Sequence, residues 1–154
     1  MAVTYYQVPK WLRGNSPKMP WVDKFKEAAS QSATTVKGNF VYLVAGAGTI
    51  AAVTSTIIWG ILKQACSTVT GTLLEVEVVE SGDILEISYA DAFSTTPPIV
   101  GHYYDIVNSS GQAYLTTSSS NPVLVVRRIT DTTKHRCEVS VIPAAVQASI
   151  GAAA

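Results

Sequence analysis

The chain has 154 residues, the length of one domain, and a domain of that size buries roughly 70% of its unfolded surface without help from disulfides or metals. Eleven basic residues cancel eleven acidic ones, which excludes a global charge directed at nucleic acid or at a membrane surface. The charges are unevenly spread, however: residues 1–37 carry a net +4, while residues 64–126 hold seven carboxylates and no Lys or Arg.

The head of the chain, residues 1–36, contains Pro9, Pro17 and Pro20, which prevent one continuous helix or strand. It reads as an extended N-terminal arm. The spacing of Trp21, Val22 and Phe25 in "WVDKFKEAASQ" predicts a short helix there. No apolar run of the kind that opens a secretory signal is present in "MAVTYYQVPKWLRGNSPKMP", so the expectation is a chain made and used in a cytosol.

The stretch "FVYLVAGAGTIAAVTSTIIWGIL", Phe40 to Leu62, runs for 23 residues without a charge, long enough to cross a bilayer. Gly46 and Gly48 break it, and ten of the 23 positions are Val, Ile or Thr, residues that favour strands. It therefore predicts buried strands at 39–44, 49–54 and 56–62, folded back at "AGAG" and joined tightly at "TST". Downstream, turn signals recur every ten or so residues. "LLEVEVV" alternates Leu74, Val76 and Val78 against Glu75 and Glu77, and "ILEISYA" alternates Leu85, Ile87 and Tyr89 against Glu86 and Ser88, with "ESGD" between them. That pattern predicts a hairpin. "PPIVGHYYDIV" and "QAYLTT" around "NSSG" predict a second. "PVLVVRRIT" and "HRCEVSVI" around "DTTK" predict a third, with Cys137, Val139 and Val141 inward and Arg136, Glu138 and Ser140 outward. About eight short antiparallel strands over 37–142 suit a small β-barrel or sandwich. The remainder, 143–154, is a short Ala-rich C-terminal tail, too short to be a stable isolated helix.

No convergent catalytic set can be assembled. Cys66 and Cys137 are too few for a disulfide framework and lie in no CxxC or Cys/His spacing, so free buried thiols are expected. His102 and His135 read as ordinary strand and turn residues. Glu75, Glu77, Glu80, Asp83 and Glu86 read as a solvated acidic sheet face rather than a Ca²⁺ or glycosidase pair. "VAGAGT" lacks the GxGxxG spacing and the Lys-Ser/Thr of a phosphate loop. Arg127 and Arg128 are adjacent on a strand and are expected to point to opposite faces. No enzyme activity, metal or other cofactor is therefore expected.

The arm is the part left over. Tyr5, Tyr6, Trp11, Trp21 and Phe25 are a heavy aromatic load for a proline-broken basic segment, and Arg13, Lys18 and Lys24 accompany them. Two readings stay open. Either the arm wraps its own barrel, or these eight residues anchor it on a neighbouring subunit, with the aromatics at the centre and the basic head steering toward an acidic face.

The run "VKGNFVYLVAGAGTIAAVTSTIIWGILKQA" resembles the start of small bacteriophage capsid decoration, or structural cement, proteins, with Gly38 and Asn39, Gly46 to Gly48, Ala51 to Thr54, and Gly60 with Ile61 at the matching positions. Asn39 stands where Asp is more usual. "VESGDILEISYA" is similar to the family's next hairpin, and "IVGHYYDIV" onward, with Gly101 and Tyr104 to Ile106, to its closing section. The resemblance covers about 37–142. It implies an all-β fold, a small antiparallel barrel or β-tulip, that binds the major capsid protein on the outside of a phage head. It further implies a homo-oligomer, with a trimer favoured, and a virion location after synthesis in the host cytoplasm. It implies no enzyme activity and no nucleic-acid or membrane partner. The arm and tail lie outside the matching part. A phage or bacterial surface-binding β-domain, such as an adhesin or a carbohydrate-binding module, is the alternative; it would carry an exposed aromatic platform on the barrel itself. A small hydrolase is the third.

Overall fold

A computed structural model describes residues 3–14, 21–29, 31, 35–44, 49–52, 57–80, 82–94, 96–109 and 111–146. The expected turn at "AGAG", the junction at "TST", Lys18 and the tail from residue 147 lie outside these. In chain order the strands are β1 (Lys10–Arg13), β2 (Trp21–Glu27), β3 (Phe40–Leu43), β4 (Thr49–Ala52), β5 (Gly60–Leu62) and β6 (Leu73–Val78). They continue with β7 (Ile84–Ser88), β8 (Tyr103–Tyr104), β9 (Ile106–Ser109), β10 (Gln112–Leu115), β11 (Leu124–Asp131) and β12 (Arg136–Val141). Two single 3₁₀ turns, Asp91–Phe93 and Pro143–Ala145, are the only helical elements among the described residues, and no helix is long and apolar enough to cross a membrane. The protein is all-β.

One sheet has the order β1-β7-β12-β11-β8, antiparallel throughout. Its inner face is the one that alternation marks: Leu85, Ile87, Cys137, Val139, Val141 and Val126 are buried in the main core, with Trp11 of β1 packed against them. The other face is polar. In one row across the strands Lys10 stands opposite Glu86, Glu86 opposite Glu138, and Glu138 opposite Arg128. Two carboxylates side by side would repel, and the cations flanking them offset this: Lys10 Nζ lies 3.4 Å from Glu86, and Arg128 and Arg13 reach Glu138 at 2.6 and 2.8 Å. Glu138 faces away from the core as expected, yet its side chain is only 3% exposed, because the two guanidiniums cover it.

The second set of strands contains β2, β4, β3, β5 and β6, whose pairings return on themselves in that order. The return is made by two parallel pairs, Lys26↔Thr49 and Glu27↔Ile50. Val41, Leu43, Leu62, Leu74 and Val76 fill its interior. Gly60 permits the close approach of β5 to β6, since a Cβ there would stand 2.4 Å from the Glu77 carbonyl oxygen. The uncharged 40–62 run thus supplies three strands of this ring, with β3 paired to both β4 and β5. Between the two assemblies the β9–β10 hairpin is tied to β3 by Asn108. Its side chain accepts from Phe40 N at 2.7 Å and donates to Phe40 O at 2.9 Å, standing in for a neighbouring strand.

Four expectations change. The helix from Trp21 is the strand β2, because β6 offers six paired positions from Trp21↔Val78 to Lys26↔Leu73. The strands β6 and β7 form no hairpin: β6 joins the ring and β7 joins the open sheet, so the strands of 37–142 are shared between two assemblies. Arg127 and Arg128 serve the same face, because a register irregularity between Val126 and Arg128 adds a residue to β11. Arg127 Nε donates to Ser140 Oγ at 2.8 Å while Arg128 takes Glu138. Finally, the acidic residues are not uniformly solvated. Glu75 is exposed, but Glu77 is buried 3.4 Å from Lys63 Nζ, and buried Asp83 accepts from Glu80 N at 2.9 Å.

Candidate interaction surface

The arm residues are placed largely by their own chain. Thr4 donates to Asp91 from both its backbone N and its hydroxyl, at 3.0 and 2.6 Å, and Gln7 N donates to Ser88 Oγ at 2.8 Å. Tyr6 is half-buried, and its phenol oxygen accepts from Ala113 N at 3.1 Å. Trp11 is half-buried on the main core, and Arg13 clamps Glu138. On β2, Phe25 packs into the ring, and Lys24 lies opposite Glu75 on β6. The complementary charges of head and middle therefore meet within one molecule, and the intramolecular reading of the arm describes residues 3–13 and 21–27.

Some of the eight candidate residues still face outward. Tyr5 and Lys24 are exposed, and Trp21 is 50% exposed. Trp21 is brought together with Phe25 through Trp59, a residue the reading of the arm did not single out. The Trp59 ring meets those of Trp21 and Phe25 edge-on, at 6.2 and 5.9 Å between centroids. Trp11 belongs to the other sheet and does not join this cluster.

A second outward surface was not anticipated. Ile99 and Val100, on the loop leading into β8, are 51% and 57% exposed, and Tyr103, the first residue of β8, is 56% exposed. Three hydrogen bonds tie this segment to β11 and to Tyr104. Gly101 N donates to Val126 O, Val126 N to His102 O, and Ile99 N to the Tyr104 hydroxyl, at 2.8 to 3.1 Å. Gly101 has φ +86° with open space around its α-carbon, so it is the backbone conformation and not crowding that favours glycine there. The signal available in the sequence was the apolar pair Ile99–Val100 lodged between Pro98 and Gly101, a turn position where polar residues are usual.

His135 and Asp91 fasten the arm to the open sheet. His135 Nδ1 lies 3.1 Å from Asp91 Oδ1 and its ring stacks on Tyr89 at 4.9 Å; the same carboxylate fastens Thr4. The Thr4 hydroxyl and backbone, then His135, hold the Asp91 carboxyl below its ordinary range. Burial pushes the Cys66 thiol up to about 11 and raises that of Cys137 further, so both stay protonated and are poor nucleophiles at neutral pH. Among the described residues no group of three His, Cys, Asp or Glu could hold a metal ion. Comparison with protein-family models, with curated proteins and with solved structures gives no match for the chain.

Proposed function

We propose that the protein is a non-enzymatic structural protein that binds the outer surface of a phage capsid through its major capsid protein and stabilises the shell, as a homo-oligomer with a trimer favoured. The observation that carries this reading is the exposure of three large apolar side chains, Ile99, Val100 and Tyr103, within five residues of chain. Hydrogen bonds from Ile99 N to the Tyr104 hydroxyl and between Gly101 and Val126 already place the backbone that carries them, so docking there has mainly side chains to order. The likeness of residues 37–142 to capsid decoration proteins supplies the partner. Co-sedimentation of the purified protein with undecorated heads of the phage that encodes it tests the reading. Binding is expected for the native chain and is expected to fall at least about tenfold for Ile99→Ser with Val100→Ser, a loss consistent with truncating interface anchors. A native chain that stays in the supernatant overturns the proposal.

The alternative, a surface-binding β-domain of the adhesin or carbohydrate-binding kind, is favoured by one observation: half-exposed Trp21 sits on the ring itself, backed by Trp59 and Phe25. It predicts quenching of tryptophan fluorescence by soluble glycans, which the capsid reading does not.

A further inference from the structure

The net charge of zero hides a band of cations interleaved with carboxylates that runs from the polar face of the open sheet to the seam between the two sheet assemblies. On the polar face of the open sheet Arg127, Arg128, Arg13 and Lys10 surround Glu138 and Glu86. Lys10 also lines a groove of about 350 Å³ at the seam, whose walls are Gln7 to Lys10 on the arm side and Lys37 with Ile61 to Lys63 on the ring side. Lys63 pairs with Glu77. Lys37 is exposed and forms no ion pair among the described residues. Six cations and three carboxylates leave the band at +3. Arg13, Arg128 and Lys10 keep more than half of their side-chain surface exposed, so their remaining N–H donors face water.

We propose that this band is a docking site for an acidic, extended segment of a partner protein, one whose carboxylates alternate with apolar side chains. The pattern of the band selects that occupant. Its cations are separated by fixed carboxylates at Glu86, Glu138 and Glu77, so a ligand with continuous negative charge, such as a nucleic-acid backbone, meets repulsion at every gap, whereas carboxylates spaced to match the cations do not. The groove lining includes Val8 and Pro9 beside Lys10 and Lys37, apolar groups for a side chain lying between two carboxylates. Arg127 gives only its Nε–H to Ser140, which leaves the two terminal nitrogens of its guanidinium for bidentate carboxylate recognition. The site is independent of the capsid reading, since it specifies the chemistry of a partner and not its identity.

The test uses the full chain and a short synthetic peptide alternating glutamate with leucine, titrated while backbone amide resonances are followed. Shifts are expected to be confined to the groove and to the β11–β12 polar face, and binding is expected to weaken as salt rises from about 20 to about 200 mM. Lys37→Gln with Arg127→Gln removes two cations that form no ion pair with a buried carboxylate, and is expected to weaken binding at least about fivefold while the chain stays folded, its melting temperature lowered only by the loss of the Arg127–Ser140 hydrogen bond. Lys24→Gln with Lys26→Gln, on the ring strand β2, is expected to leave binding as it was. Absence of shifts at low salt overturns the proposal. So does equal weakening by both double variants, which marks unspecific attraction, or tighter binding of an oligothymidylate than of the peptide, which marks a nucleic-acid site.

Discussion

Glu138 shows how a single residue can be right in position and wrong in environment. Alternation along β12 places it opposite the core face, and there it lies; what alternation does not contain is that Arg13 comes from 125 residues earlier in the chain and, with Arg128, covers it. Hydrogen bonding from Arg13, then from Arg128, holds its carboxyl below the ordinary value of 4.5, and Asp91 is held below 3.8 chiefly by the Thr4 hydroxyl. Both groups have lower pKa values folded than unfolded. Their contributions are therefore complete above the unfolded values, and are lost as pH falls from there through the folded ones. The urea midpoint is expected to stay level between about pH 7 and about pH 5.5 and to fall below about pH 4.5. Glu138→Gln is expected to lower the plateau and flatten the acid limb, since the titrating group is gone and two cations lose their shared partner. An acid limb as steep in Glu138→Gln as in the native chain would show that the pair contributes nothing to pH dependence.

At the level of elements, glycines separate two kinds of constraint. Gly60→Ala drives a Cβ to within 2.4 Å of the Glu77 carbonyl oxygen and 2.6 Å of Val76 Cγ1; the first is backbone of a paired strand and cannot yield without separating β5 from β6. A loss of about 1–3 kcal/mol is expected, as for overpacking in a core. Gly101→Ala meets no atom within 4 Å and is expected to cost about 1 kcal/mol, from its left-handed backbone alone. Chemical denaturation of both variants checks the order; equal losses would mean that the β5–β6 approach is not rigid. The local hairpins were legible for the same reason that these costs are separable: β11 with β12, and β9 with β10, are joined by short turns whose chemistry is written beside the alternating runs. The partners of β6 were not. Its alternation fixes which residues face inward, Leu74, Val76 and Val78, but says nothing about whether the matching edge is β7, next in sequence, or β2, some fifty residues earlier. For β2 itself, "WVDKFKE" contains both a helical spacing of Trp21, Val22 and Phe25 and a period of two in Lys24, Phe25 and Lys26, and the edge of β6 decides between them. The added residue at Arg127 likewise leaves no mark in a pattern of adjacent arginines.

On the scale of the whole molecule, the arm decides what holds the fold together. Read alone, its basic charge and its tryptophans suggest a strap for a neighbour; in the folded chain β1 completes the open sheet beside β7 and β2 completes the ring beside β6. The two tryptophans accordingly have different roles. Trp11 packs on the main core with its Nε1 buried and without an acceptor among the described residues, so the site is kept for the apolar area of the indole and not for its hydrogen bond. Trp11→Ala is expected to destabilise the protein by about 2–4 kcal/mol, toward the lower part of the range for large aromatics because the ring is only partly covered, whereas Trp11→Phe should recover most of it. Trp21 is half exposed, meets Trp59 edge-on and begins the strand β2. Trp21→Ala should therefore cost no more than about 1 kcal/mol of stability and act instead on whatever the outward aromatic surface contacts. Thermal melting of the two single variants distinguishes these roles. A Trp11→Ala protein that melts with the native chain, or a Trp21→Ala protein that unfolds far below it, would reverse the assignment and return the arm's first strand to the surface.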